Sequence, residues 1–190
     1  MSNPSFQASL DECIETLEHL RTFEKPLLEA ARLVGDALLA GGKVLTCGNG
    51  GSAADTAHLA TEFTCRFSGD RRPYPALALA TDAGLLTAIA NDYTFKDVFA
   101  RQIWAYGKPG DVLVAFSTSG KSRNILSAIE EARRRGLSSI AFLGRDGGHV
   151  AGAANVEIIV PSKVTARIQE AHKFLLHALC EIVEARLPKE

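Results

Sequence analysis

The chain has little of anything that would assign it to a specialised class. Its 190 residues carry 21 basic and 22 acidic side chains, a formal net charge of −1. No field of one sign therefore favours nucleic acid or an anionic membrane as a partner. The one basic cluster, Arg133-Arg134-Arg135, ends a predicted helix and reads as complementing its C-terminal dipole in solvent. Cysteines number four, Cys13, Cys47, Cys65 and Cys180, far apart and without a C-x-x-C pair. That spacing argues against a disulfide framework or a zinc knuckle and for free thiols in a reducing compartment. No apolar run approaches the roughly 18 residues of a membrane span. Met1 to Gln7 lack the charged and apolar regions of a secretory signal. Repeats, low-complexity tracts and linkers are also missing. A single cytoplasmic domain is the expectation, 46% hydrophobic and large enough to bury its own core.

What is present is alternation. Phe6, Leu10, Cys13, Ile14, Leu17 and Leu20 recur at helical spacing. A second helix opens at Pro26, carries Leu27, Leu28, Ala31, Val34, Leu38 and Leu39, and stops at Gly41-Gly42. Short apolar runs at 43–47, 76–80, 111–116, 138–143 and 156–160 then read as buried strands. Helical patterns at 52–67, 84–91, 96–107, 122–135 and 165–186 separate them. Strands that alternate with helices predict an α/β fold, a doubly wound five-stranded parallel sheet of flavodoxin-like type. The N-terminal helical pair, residues 1–41, is not needed to close such a sheet. Its apolar faces predict either a bundle with another subunit or packing on their own sheet.

Two hydroxyl-rich glycine loops each lie between a strand and a helix: Gly48-Asn49-Gly50-Gly51-Ser52 and Ser117-Thr118-Ser119-Gly120-Lys121-Ser122. Glycine lets backbone N–H groups approach an anion, and a helix N-terminus adds its positive end. Two such loops predict a phosphorylated small molecule held between two strand ends. Nucleotide readings compete poorly. Gly48-x-Gly50-x-x-Ala53 fits a dinucleotide fingerprint, but the acid at the end of the second predicted strand, Asp82, comes nearly 30 residues past the helix start rather than about 20. Ala115 to Ser122 fits only a relaxed P-loop, and Leu137–Leu143 ends in Gly144 where a Walker-B acid is expected.

His58 and Glu62 are four apart on the helix that opens at the first loop, so they share a face. Such a pair can ligate a metal, move protons on carbon, or simply form a surface ion pair. In the last helix His172 and His177 are five apart, about 140° around the axis, and do not face one target. The apolar setting of His177 by itself suits a satisfied core histidine, and His19 and His149 read as surface residues.

The string Gly48-Asn49-Gly50-Gly51-Ser52-Ala53-Ala54-Asp55-x-x-His58-x-x-x-Glu62 resembles the signature of bacterial phosphoheptose isomerases, enzymes of the SIS (sugar isomerase) domain family. The resemblance continues through Arg66-Phe67, Arg72-Pro73-Tyr74-Pro75, Asn91-Asp92-Tyr93, Gly110–Leu113 and Ser117–Ser122. It then runs on through Asp146-Gly147-Gly148 and Arg167-Ile168-Gln169-Glu170 to His177, nearly the whole chain. It implies isomerisation of sedoheptulose 7-phosphate to D-glycero-D-manno-heptose 7-phosphate, the first step of nucleotide-activated heptose synthesis. The implied substrate-binding residues are Asn49, Gly50, Gly51, Ser52, Asn91, Asp92, Ser117, Thr118, Ser119, Ser122 and Gln169. The implied metal is zinc, one per subunit, on His58, Glu62, Gln169 and His177. A replication-initiator-associating relative shares the loops but lacks the groups matching Glu62 and His177, so their presence here favours an enzyme over a binding protein. Two departures stand out. Ala166 replaces an aspartate of some relatives, and the segment from Ala76 to Asp82 looks one residue longer, which shifts the match at Asn91 and Asp92.

Ketose–aldose isomerisation needs a base beside a carbonyl and an acid at its oxygen, roles given to Glu62 and His177 respectively. Gln169 and His177 are eight apart, about 12 Å along a helix and about 80° around it. Both could meet one metal from the same helix only if stretched along the axis. That spacing predicts a site completed between subunits of a homo-oligomer, the tetramer usual in the family being the expected form.

Overall fold

A computed structural model describes residues 5–189; Met1–Pro4 of the polar start lie outside the described residues. The helices are α1 (Phe6–His19), α2 (Glu24–Leu39), α3 (Gly51–Thr64), α4 (Ala83–Asp92), α5 (Ala100–Tyr106), α6 (Arg123–Arg134) and α7 (Thr165–Glu184). The strands are β1 (Val44–Gly48), β2 (Ala76–Ala78), β3 (Val112–Ser117), β4 (Ser138–Gly144) and β5 (Val156–Val160). All pairings are parallel, in the order β2-β1-β3-β4-β5. This is the flavodoxin-like order, in which the chain reverses its winding between β1 and β3.

The period of two along each strand divides the core. Val44, Val112, Val114, Phe116, Ile140 and Phe142 face the layer containing α2, α3 and α7. Leu45, Cys47, Leu113, Ala115 and Ala141 face the layer of α4, α5 and α6. Near-continuous burial of β1, β3 and β4 follows from helices on both faces.

Two sequence expectations change in detail. The helix expected over 96–107 is a 3-10 turn at Phe95–Asp97 followed by α5. The Thr94 hydroxyl donates to Asp97 at 2.6 Å and closes that turn on itself. The strand expected over 76–80 is only three residues long, as befits an edge, although Leu79 N–H still donates to Thr46.

Of the two N-terminal helices, α2 shows the expected packing on its own sheet. α2 buries Leu27, Ala30, Ala31, Val34 and Leu38 in its own core, against α7 and β5. It ends, as the glycines predict, with Gly41 in the left-handed region at φ 82°. α1 has no buried residue, and Phe6, Leu10 and Ile14 stay exposed. Among the described residues no helix is long and apolar enough to cross a membrane.

Candidate active site

Both loops leave the sheet on either side of the winding reversal. β1 ends at Gly48, where a Cβ would come within 2.7 Å of the Ser52 carbonyl oxygen. Gly50 then takes φ 57° and starts α3 with no side-chain cap. β3 ends at Ser117, Gly120 takes φ 63°, and Ser122 starts α6, again uncapped by a side chain. A Cβ on Gly120 would overlap the Gly147 carbonyl, so this turn needs glycine for space as well as for conformation. At α3 the Ser52 and Ala53 N–H groups already donate to the Asn49 and Gly50 carbonyls, whereas at α6 those of Arg123 and Asn124 have no backbone partner among the described residues and can face an anion. Ser119 Oγ accepts from Lys121 N–H at 3.2 Å, and the Ser117 and Ser122 hydroxyls are 3.3 Å apart. Ser52 is buried, whereas Thr118, Ser119 and Ser122 are half-buried.

Helices α3 and α7 lie side by side and run the same way, so their contacts advance together by about one turn. The Gln169 amide lies over Gly51, where a Cβ would overlap it. One turn on, Lys173 Nζ is 2.7 Å from Asp55 Oδ1 and 2.9 Å from His58 Nδ1. His58 Nε2 is 2.7 Å from Glu62 Oε1, and His177 Nε2 lies 3.4 Å from His58 Nε2. An ammonium only donates, so Nδ1 of His58 keeps its lone pair and Nε2–H donates to Glu62. Burial, then the neighbouring His58 and Lys173, lowers the His177 pKa from its ordinary value of 6.5 and favours a neutral imidazole.

The two C-terminal histidines have different places. His172 is the core histidine: fully buried, it lies edge-on to Phe116 and Phe142 and donates from Nε2 to the Leu143 carbonyl at 3.1 Å. Burial pushes its pKa down to about 4, so it stays neutral. His177 is half-buried and faces α3, which overturns the core reading that its apolar setting suggests. His58 and Glu62 do meet as their spacing allows, but through a hydrogen bond from a neutral ring, and in contact with α7 rather than alone in solvent.

One chain therefore brings together His58, Glu62 and His177, and separately Gln169 with Asn49–Ser52. Asn91 and Asp92 are exposed at the end of α4, bonded to each other at 3.0 Å and to neither loop among the described residues. Sequence reasoning missed Asp55 and Lys173, although helical spacing from His58 and His177 places both on the faces that meet. It also missed Asn124, whose amide pairs with that of Asn49.

The family model described as SIS domain matches residues 8–144. A phosphoheptose isomerase of Shewanella denitrificans is 46% identical over 186 residues, covering 96% of this chain and 93% of the relative. One of Coxiella burnetii is 49% identical over 165 residues, covering 85% and 83%. Among solved structures, the phosphoheptose isomerase of Neisseria gonorrhoeae superposes with a TM-score of 0.88 at 42% identity, over 94% of this chain and 96% of that one. A phosphoheptose isomerase structure from Francisella tularensis gives 0.87 at 38%, over 95% and 94%. The Vibrio vulnificus NanR protein, at 15% identity and a TM-score of 0.66 over 97% of this chain and 64% of that one, shares the fold alone.

Proposed function

The chain belongs to the SIS-domain family and lies among its phosphoheptose isomerases, and from that premise we propose that it converts sedoheptulose 7-phosphate to D-glycero-D-manno-heptose 7-phosphate in the cytoplasm. The observation that carries the chemistry is the meeting of Glu62 on α3 with His177 on α7, bridged by His58. Glu62 removes the proton beside the carbonyl, and His177 donates from its neutral ring to the carbonyl oxygen. The enediol collapses to the aldehyde when protonated Glu62 returns its proton to the neighbouring carbon. The other enediol hydroxyl gives its proton back to the His177 ring, so both groups end as they began. Lys173, itself held by Asp55, fixes the His58 ring, and His58 keeps Glu62 oriented.

The donor set suits zinc, because two imidazoles and a carboxylate are ligands of catalytic zinc sites. Among the described residues no three His, Cys, Asp or Glu side chains are grouped as a metal site. The three lie adjacent instead, with Glu62 hydrogen-bonded to His58. His58, Glu62 and His177 would hold the ion; Gln169, the fourth ligand of the family pattern, lies at Gly51 in this chain. Bound zinc would supply Lewis-acid polarisation of a substrate oxygen.

The active form is a homotetramer whose sites are completed between subunits. Glu62 is eleven residues beyond Gly51, about 16 Å along α3. A fully extended heptose phosphate reaches only roughly 10 Å from carbonyl carbon to phosphorus, at about 1.5 Å per carbon–carbon bond. A substrate bound against Gly51 is thus better placed for the acid–base pair of a neighbouring subunit. The exposed apolar face of α1 offers surface for such an assembly.

The deciding assay measures aldose formation from sedoheptulose 7-phosphate, with and without a chelator, and deuterium incorporation at carbon. Turnover with label supports the reading, and a chelator-sensitive rate supports the metal. Binding without label uptake would instead indicate a phosphosugar sensor. If the second loop holds the phosphate, Ser119→Ala raises KM more than it lowers kcat, and a bound ligand with its phosphate at Asn49–Ser52 would reverse that assignment.

A further inference from the structure

The two loops are tied by a single reciprocal contact. Asn49 Nδ2 donates to Asn124 Oδ1 at 3.0 Å, and Asn124 Nδ2 donates back to Asn49 Oδ1 at 2.8 Å. Asn49 directly follows β1, and Asn124 is the second residue of α6, 75 residues further along. Among the described residues these two are the only side-chain hydrogen bonds from one loop to the helix start of the other. Asn124 is 4% exposed, whereas Asn49 is half-buried. A primary amide has two N–H donors and two acceptor lone pairs, and the pairing uses one of each. Asn49 keeps one donor and one acceptor position for a sugar, in an orientation imposed from α6.

We propose that Asn124 is a positioning residue that fixes the Asn49 amide, so that the first loop meets the sugar in register with the phosphate held at the second. The inference rests on the phosphosugar reading above. Its physical basis is that an unpaired Asn49 would rotate among rotamers, and each productive contact would then bear the cost of ordering it. The second loop does not need the pair to bind an anion, because its cradle is made of backbone N–H groups and hydroxyls.

Binding of sedoheptulose 7-phosphate and of inorganic phosphate, measured by titration calorimetry on the full chain, separates the two effects. Asn124→Ala is expected to weaken sugar phosphate binding about tenfold, the loss of one to two net hydrogen bonds, and to leave phosphate binding within about twofold. In an Asn49→Ala background the same substitution should change sugar binding little, because the side chain it orients is gone. Equal losses for phosphate and sugar phosphate, or an undiminished effect in the Asn49→Ala background, would reduce Asn124 to a structural support and overturn the proposal. Unchanged sugar binding in a folded variant would do the same. Asn124→Ser serves at the same position if the alanine variant does not fold. Because the readout is binding, a wild-type protein that binds but does not isomerise would count against the enzyme reading alone.

Discussion

Glu62→Gln and His177→Gln should each lower kcat by at least about 100-fold, the low end for general acid–base groups, without changing the melting temperature appreciably. Glutamine at position 62 preserves volume and still accepts the His58 Nε2–H bond now made at 2.7 Å, but it cannot take a proton from carbon. At position 177 it fills the half-buried space against His58 and Phe67 and loses the ring N–H that the proposed reaction uses on the carbonyl oxygen. Steady-state kinetics with the heptulose phosphate, alongside thermal unfolding, provides the check. Near-normal turnover in either folded variant would remove that residue from the chemistry. Deuterium exchange sharpens the division of labour: Glu62→Gln should abolish label uptake, since without the base no proton leaves carbon.

A second large effect concerns stability, at the far end of the same seam. Glu184 on α7 accepts from Ser68 N–H at 3.1 Å, Ser68 Oγ at 2.6 Å and Arg71 Nε at 3.0 Å. The Arg71 side chain is only 2% exposed and also donates to the carbonyls of Glu62, Phe63 and Arg72. Removing the acid with Glu184→Ala leaves a buried guanidinium without its counter-charge, a change that costs about 3 kcal/mol. Burial works against the charge on Glu184, but bonds from Ser68 and Arg71 overcome it and hold its pKa at about 2, below the ordinary 4.5. A carboxylate lowered on folding contributes its full stabilisation above the unfolded value, near 4.5, and loses it as pH falls toward 2. Urea denaturation of wild type and variant at pH 7 should therefore show the full gap, narrowing below pH 4.5. A gap independent of pH would mean that packing, not the ion pair, sets the cost. Because Arg71 binds the Glu62 carbonyl, the clasp also steadies the last turn of α3, and heat should inactivate the variant earlier than the wild type.

Local chemistry was legible in the sequence. The five strands, the seven helices and both loops follow from short-range causes: apolar runs bounded by glycine, helical spacing of three and four, and glycines where the chain needs positive φ. The shared face of His58 and Glu62 follows from the helical pitch alone, and the resemblance through Arg167–His177 pointed to the helix that packs against α3. Which histidine of that helix meets α3 was not decidable from spacing. His172 and His177 are equally surrounded by apolar residues, and only the docking of α7 sends one toward Phe142 and the other toward His58. The pairs that tie the site together join residues far apart in the chain: Asn49 with Asn124, Asp55 with Lys173, and Arg71 with Glu184. Sequence by itself determined the elements and the residues that open them, because hydrogen bonding along a helix and alternation along a strand act over a few residues. Tertiary structure decided which faces meet, because the choice among distant partners is made when the sheet orders its strands and the helices bury their apolar sides against it.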